Sequence, residues 1–168
     1  MSDKPTSVNA DGIFEPFIVD RVPTEEYSRG SRFGIKSQPL GEFGGGTHVG
    51  VSMEVLAPGR QTWPAHFHML EEEHLLVLEG SATLRLGLRT YELSEGHYVC
   101  FPAGQKAGHT FINHTDKPFR YLVIGERNPN EVVVYTDSGR VGVRALGEGY
   151  RRSATLQYWE GEDVDAKP

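Results

Sequence analysis

Residues 59–80, GRQTWPAHFHMLEEEHLLVLEG, decide how this chain folds. His66 and His68 are separated by a single residue, and Glu73 follows after a short interval. Side chains alternate between the faces of an extended strand, so the two imidazoles point the same way, roughly 7 Å apart along the backbone. Leu70 to Glu72 reads as a turn, after which His74 to Glu79 forms a second strand carrying Glu73 at its start. Donors from these adjacent strands converge on one point, and imidazoles with a carboxylate suit a divalent cation. Downstream, His109 offers a fourth donor, with Asn113 four residues beyond it.

Outward from this stretch the pattern remains β. Val49, Val51, Met53 and Val55 alternate with smaller or polar residues and stop at Pro58-Gly59, the mark of a half-buried strand. Ser81 to Leu86 and Arg89 to Leu93 form a hairpin around Gly87, and Tyr98 to Phe101 is a short strand ended by Pro102. His109 to Ile112, Phe119 to Ile124 and Val132 to Tyr135 follow at hairpin spacing, separated by turn-forming Asn, Asp and Pro. Asp137-Ser138-Gly139 is a further turn, and Ala154 to Trp159 is the expected last strand. Upstream, Ile13 to Val19 is expected as a short edge strand because of Pro16. Pro23 to Tyr27 reads as one helical turn with Thr24 as its cap, and Arg32 to Ile35 as another strand. Gly44-Gly45-Gly46 is followed by neither a helix nor a Lys-Ser/Thr pair, so it reads as an inter-strand loop and not a phosphate cradle.

Many short strands and almost no helix imply a chain that curls into a sandwich or barrel. At 168 residues it is one domain by length, and no second His-x-His with a trailing Glu suggests a duplication. We expect a flexible N-terminal tail over 1–12, the domain with an N-terminal extension over 13–159, and an acidic C-terminal tail over 160–168. The 20 glycines and 10 prolines suit strands joined by tight turns. A net charge of −6 without a basic run argues against a nucleic-acid surface. The single cysteine, Cys100, excludes an internal disulfide and suits a reducing compartment. The N-terminus lacks the basic flank and apolar stretch of a secretory signal, and no apolar run reaches membrane-spanning length. The expected location is the cytoplasm, with no membrane partner.

The residues quoted above resemble the two motifs of the cupin superfamily. The first, loosely G-x(5,6)-H-x-H-x(3,4)-E-x6-G, is met by Gly59, His66, His68, Glu73 and Gly80. The second, G-x5-P-x-G-x2-H-x3-N, is met by Gly96, Pro102, Gly104, His109 and Asn113, with four residues instead of two between Gly104 and His109. The segments VPTEEYSRGSRFG and VVVYTDSGRVGV are also similar to a branch of single-domain bacterial cupins sometimes called sugar-phosphate isomerase-like. The resemblance implies an all-β, double-stranded β-helix (jelly-roll) barrel over about Val22 to Val143. It further implies one divalent metal ion, iron, manganese, nickel or zinc, on His66, His68, Glu73 and His109. The implied activity is on a small oxygen-bearing molecule, an organic acid or sugar-like compound, with isomerase, dioxygenase and decarboxylase chemistry all represented. The alternative is a cupin that binds a small molecule without turning it over. A homodimer is expected, covering the outward Leu76 and Leu78.

Each site residue has an ordinary reading beside the functional one. The four donors could be the polar lining of a solvated barrel mouth, yet a buried Glu among neutral histidines would lack a compensating cation. His74 faces away from Glu73 and reads as a surface or interface histidine; His48, His97 and His114 read as turn or surface residues. Glu71 and Glu72 read as a solvated acidic turn. Lys106, in the lengthened loop, is the cation nearest the expected site. Asp137, Ser138 and Arg140 could gather at the rim. Cys100 reads as a small buried hydrophobe. No residue identifies itself as a general acid or base.

Overall fold

The computed structural model describes residues 5–162, and its architecture is two antiparallel sheets packed face to face. In chain order the strands are β1 (Glu25–Arg29), β2 (Phe33–Gln38), β3 (Val49–Leu56), β4 (His66–His68), β5 (Glu73–Glu79), β6 (Ser81–Leu86) and β7 (Arg89–Ser94). They continue with β8 (Tyr98–Phe101), β9 (His109–Ile112), β10 (Phe119–Glu126), β11 (Val132–Tyr135), β12 (Arg140–Val143) and β13 (Glu148–Arg151). One sheet runs β1-β2-β3-β10-β5-β8, the other β13-β12-β11-β4-β9-β6-β7. The sequence reading of an all-β jelly roll holds. Among the described residues no helix is long and apolar enough to cross a membrane.

Period-two alternation places the core between the sheets. Leu75 and Val77 of β5, Ala82 and Leu84 of β6, Phe111 of β9, and Phe119 and Tyr121 of β10 are almost wholly buried, joined by Ile35, Leu56, Leu93 and Phe101. The aromatic rings stack in series: the Phe111 centroid lies 6.2 Å from Phe119 and 5.8 Å from Tyr121. Leu76, between two core residues, faces outward opposite Tyr98 of β8. Gly80 turns the chain from one sheet to the other with φ +77°, and a Cβ there would collide with the carbonyl oxygen of Pro118.

Three local expectations are corrected. Ile13 to Val19 is no strand: Phe14 makes only an isolated bridge to Val8, and Val19–Arg21 is a single 3-10 turn. Pro16 has no amide to give a ladder. Pro23 to Tyr27 is not a helical turn, because Glu25–Arg29 pairs along the free edge of β2, Tyr27 opposite Ile35. Ala154 to Trp159 forms no strand; Leu156, Tyr158 and Trp159 all stay exposed, so that segment has no face to bury. The sheet is extended instead by β12 and β13, beyond the Asp137-Ser138-Gly139 turn.

The half-buried strand expected over Val49 to Val55 is β3. Leu56 belongs to the core and Glu54, on the same face, lies opposite Tyr121, while Met53 is buried on the other face. The short helix α1 (Leu40–Phe43) packs against β3 at Val51, where Gly41 is so close that a Cβ would lie 3.0 Å from the Val51 amide. The glycine run after α1 is a loop, as expected, and Gly45 lies under the Phe14 ring. Of the N-terminal stretch, Ser7 donates its amide to Phe43 O at 2.9 Å. Residues 163–168 of the expected acidic tail lie outside the described residues.

Candidate metal centre

The four expected donors come from opposite walls of the sandwich. His66 and His68 point inward from β4, and His109 of β9 is the direct register partner of His66. All three belong to the seven-stranded sheet, whereas Glu73 reaches across from β5 of the other sheet. The sequence reading placed the two strands side by side; the turn at 69–72 instead carries the chain between sheets. The convergence is therefore across the interior. One donor atom from each of His66, His68, Glu73 and His109 can be chosen so that all lie within 4.8 Å of one another.

The lengthened segment from Gly104 to His109 is absorbed as a loop. Gly104 donates its amide to His68 O at 2.8 Å, and Gly87 donates to Gly108 O at 2.8 Å. These bonds pin both ends of the loop, and β9 starts in register at His109. Phe101 stacks flat on the His109 ring at 3.8 Å, fixing its plane from the side.

The geometry supplies a test of whether a cation suits these residues. The ring nitrogens of His68 and His109 are buried, and none of them makes a hydrogen bond. Their Nε2 atoms lie 3.6 and 3.5 Å from the two oxygens of Glu73. Those separations are too long for good hydrogen bonds. They fit donor atoms that each lie about 2.1 Å from one shared ion. His66 donates Nδ1–H to Pro64 O at 2.9 Å, which leaves its Nε2 lone pair free. The residues therefore fit a divalent cation held by three imidazoles and a carboxylate.

The electrostatics agree. Burial, reinforced by the neighbouring His109, pushes His66 down to about 4, so this ring is neutral at physiological pH. Burial alone would lower His68, but the carboxylates of Glu73, Glu131 and Glu71 outweigh it and raise its pKa above the ordinary value. Burial would likewise raise Glu73, but His109 and His68 hold it well below the usual carboxylate range.

Three carboxylates near the site were not assigned from sequence. Glu71, expected in a solvated turn, is buried, with Arg144 forked onto it and the Asn128 amide donating to it. The side chain of its neighbour Glu72 is 46% exposed, as expected of a solvated turn. Glu131 is completely buried ahead of β11. Glu54 faces the interior with Tyr121 donating its hydroxyl to Oε2 at 2.7 Å; burial raises its pKa to about 7, with Glu73 adding to the shift. The alternation of β3 held a signal for Glu54, since an acid shares the face of Leu56.

Other expected residues fall elsewhere. Asn113 closes its own turn and is no donor to the site: Nδ2 donates to Leu56 O and Lys117 O, and Oδ1 accepts from Thr115. Lys106 lines a groove of about 430 Å³ with Phe67, Met69 and Val134. Phe67 and Val134 are register partners that alternate away from His66 and His68, so this groove is on the other side of β4. Asp137 pairs with Arg85 at 2.6 Å. Arg140 covers the ring of Tyr135, which lies 5.9 Å from His66. His74 faces outward between Glu72 and the Tyr98 hydroxyl. Cys100 is half-buried on the same outer surface.

Two antiparallel sheets with an inward three-histidine, one-glutamate cluster define a class, and residues 52–125 match the cupin domain family. Residues 52–125 thus form a stretch similar to the cupin domain family. Over most of its length the chain is similar to a cupin-superfamily sugar phosphate isomerase of Silicibacter pomeroyi, at 29% identity and a TM-score of 0.74, covering 86% of this chain and 98% of that one. A candidate sugar phosphate isomerase of Acidithiobacillus ferrooxidans is similar at 25% identity and TM-score 0.75, covering 89% and 94%. A polyketide cyclase of Streptomyces resistomycificus aligns at 25% identity and TM-score 0.56, covering 68% and 80%. No curated protein matches the chain.

Proposed function

We propose that this chain is a metal-dependent enzyme that moves protons on a small oxygen-bearing molecule, with isomerisation of a sugar phosphate the leading reaction. The observation that carries the metal is the convergence of His66, His68, Glu73 and His109 with four buried ring nitrogens lacking any hydrogen-bond partner. A bound divalent ion would supply Lewis acidity toward a carbonyl or hydroxyl oxygen. The similarity to two proteins named as sugar phosphate isomerases supports the substrate class.

Enzyme and non-catalytic binder differ in one requirement, a protonatable group that is not a ligand. Glu54 meets it. Its carboxyl faces the interior, and its pKa near 7 lets it take a proton from carbon and return it at neutral pH. Tyr121 orients it through the hydroxyl bond. In an aldose–ketose conversion Glu54 would remove the proton from the carbon beside the carbonyl and deliver it to the former carbonyl carbon. A hydroxyl proton passes to the other oxygen, so the product is an isomer and nothing is oxidised overall.

The test is deuterium wash-in. Protein loaded with manganese, iron, nickel or zinc is incubated with a panel of aldose and ketose phosphates in D₂O and followed by NMR. Exchange or isomerisation that is lost in Glu54→Gln, with metal retained, is the expected result. Binding of these compounds without exchange for any metal would assign the chain to the binders. We further propose a cytoplasmic homodimer that covers Leu76 and Tyr98; a monomer mass by light scattering at high micromolar concentration would refute the dimer.

A further inference from the structure

On the side of His68 away from Glu73 lie two buried carboxylates outside the four-donor set, which form a second close cluster with His68. Glu131 is fully buried and Glu71 is 4% exposed. Each is held by donors of its own. Glu131 accepts the Met69 amide on Oε1 at 2.8 Å and the Leu70 amide on Oε2 at 3.0 Å. Glu71 accepts the Asn128 amide and both arms of the Arg144 guanidinium, with Nη2–Oε2 at 2.9 Å. The acceptor capacity left over faces one atom. His68 Nδ1 lies 3.5 Å from Oε2 of Glu71 and 3.4 Å from Oε1 of Glu131, while its Nε2 faces Glu73.

A neutral imidazole carries its proton on only one nitrogen. A lone pair on Nδ1 would face two carboxylate oxygens, whereas an N–H there is attracted by both. We infer that Glu71 and Glu131 are positioning residues that fix His68 as the Nδ1–H tautomer and aim its Nε2 lone pair at His66, Glu73 and His109. His66 is fixed in the same sense by a neutral acceptor, the Pro64 carbonyl. For His68 the acceptors are charged, which makes the preference stronger. Two buried carboxylates also need a compensating charge. Arg144, just after β12, supplies it through Glu71 and bonds the Asn128 carbonyl at 2.7 Å. The C-terminal strands are thereby tied to the donor cluster.

The tautomer is a property of the metal-free protein; only its consequence for affinity rests on the metal reading. In long-range ¹H–¹⁵N spectra of the metal-free full chain, recorded at a pH above the raised His68 pKa, His68 should show a protonated Nδ1 and a bare Nε2. Glu71→Gln and Glu131→Gln should populate the other tautomer and weaken Co²⁺ or Zn²⁺ binding by roughly 10–100-fold. Arg144→Gln, at a partly exposed position, should shift both readouts the same way by less. Should Glu131→Gln fail to fold because one of the Met69 and Leu70 amides loses its acceptor, Glu71→Gln and Arg144→Gln decide the matter. A wild-type His68 protonated on Nε2 would overturn the inference, as would folded Glu71→Gln with unchanged tautomer and Co²⁺ affinity. If wild-type protein bound neither metal but showed His68 protonated on Nδ1, the metal reading would fail and the positioning role would stand.

Discussion

Tyr121 of β10 and Glu54 of β3 are direct register partners, and the tyrosine hydroxyl donates to Glu54 Oε2 at 2.7 Å inside the sandwich. The bond favours the carboxylate, but burial dominates and raises the acid's pKa from 4.5 to about 7. Folding thus takes up a proton at this residue between those two values.

The sign of the resulting pH dependence follows. Below about pH 4.5 Glu54 is neutral in both states and contributes no penalty. As pH rises toward 7 the unfolded chain has released a proton that the folded one still holds, so this contribution to stability declines and then levels off. The penalty is at most about 3 kcal/mol. His66, lowered by burial, acts in the opposite sense: its stabilisation is lost as pH falls from the ordinary histidine range toward about 4. The difference between wild type and Glu54→Gln isolates the acid. Urea denaturation of metal-free protein should show Glu54→Gln gaining on wild type as pH rises from 4.5 to 7.5; parallel curves would refute the shift.

Removing His109 tests the lengthened loop. His109→Ala deletes one of four donors and leaves Phe101 without its stacked partner. Metal affinity should fall by more than the roughly 100-fold expected for loss of a supporting group, and His66→Ala should do the same. Calorimetric titration with Zn²⁺ reads both. Stoichiometric metal at unchanged affinity in His109→Ala alone would reassign the fourth ligand.

His68 should govern how metal binding responds to pH. Only a ring with a free Nε2 lone pair can ligate, and the surrounding carboxylates raise the pKa of His68 whereas His66 is lowered to about 4. Raising pH through the His68 pKa should therefore tighten binding, with proton release on metal addition diminishing above it. Zn²⁺ calorimetry in two buffers of different ionisation enthalpy measures the proton count. A count that stayed at zero from pH 6 to 8 would contradict the assignment.

How much of this could be read from the chain depended on whether the signal was local. His66-x-His68, Glu73 and the strand at His109 announce themselves by spacing, because alternation and turn residues act over a few positions. The pairing of sheets was not local: β4 and β5 are separated by only four residues yet lie in opposite sheets. Glu71 looked solvated within its acidic run because its partner Arg144 is 73 residues away. Glu131 is held by the amides of Met69 and Leu70, 62 and 61 residues away in sequence. Glu54 was hidden by the more conspicuous valines on the other face of β3, where α1 packs at Val51. Edge pairing likewise overrode the local helical appearance of Pro23 to Tyr27.

Asn113 separates a motif residue's structural role from a chemical one. It is wholly buried, and its amide spans the turn into β10, donating at 3.0 Å to Leu56 O and 2.7 Å to Lys117 O. Its Oδ1 accepts both the amide and hydroxyl of Thr115, at 2.9 and 2.7 Å. Every polar atom of the side chain is thus committed to holding the end of β3 to the turn before β10. Asn113→Ala takes a partner from Leu56 O and the Thr115 amide, while Lys117 O keeps the Thr115 hydroxyl, at about 1–3 kcal/mol for each group left unsatisfied. Partial access of water at Thr115 lowers the total, so about 2–4 kcal/mol is expected. Because no atom of Asn113 joins the donor cluster, the folded fraction should bind Zn²⁺ with wild-type affinity. Urea denaturation gives the first quantity, and titration well below the unfolding midpoint gives the second. Unchanged stability would refute the clamp, and a tenfold loss of Zn²⁺ affinity in fully folded protein would show that the turn reaches the site.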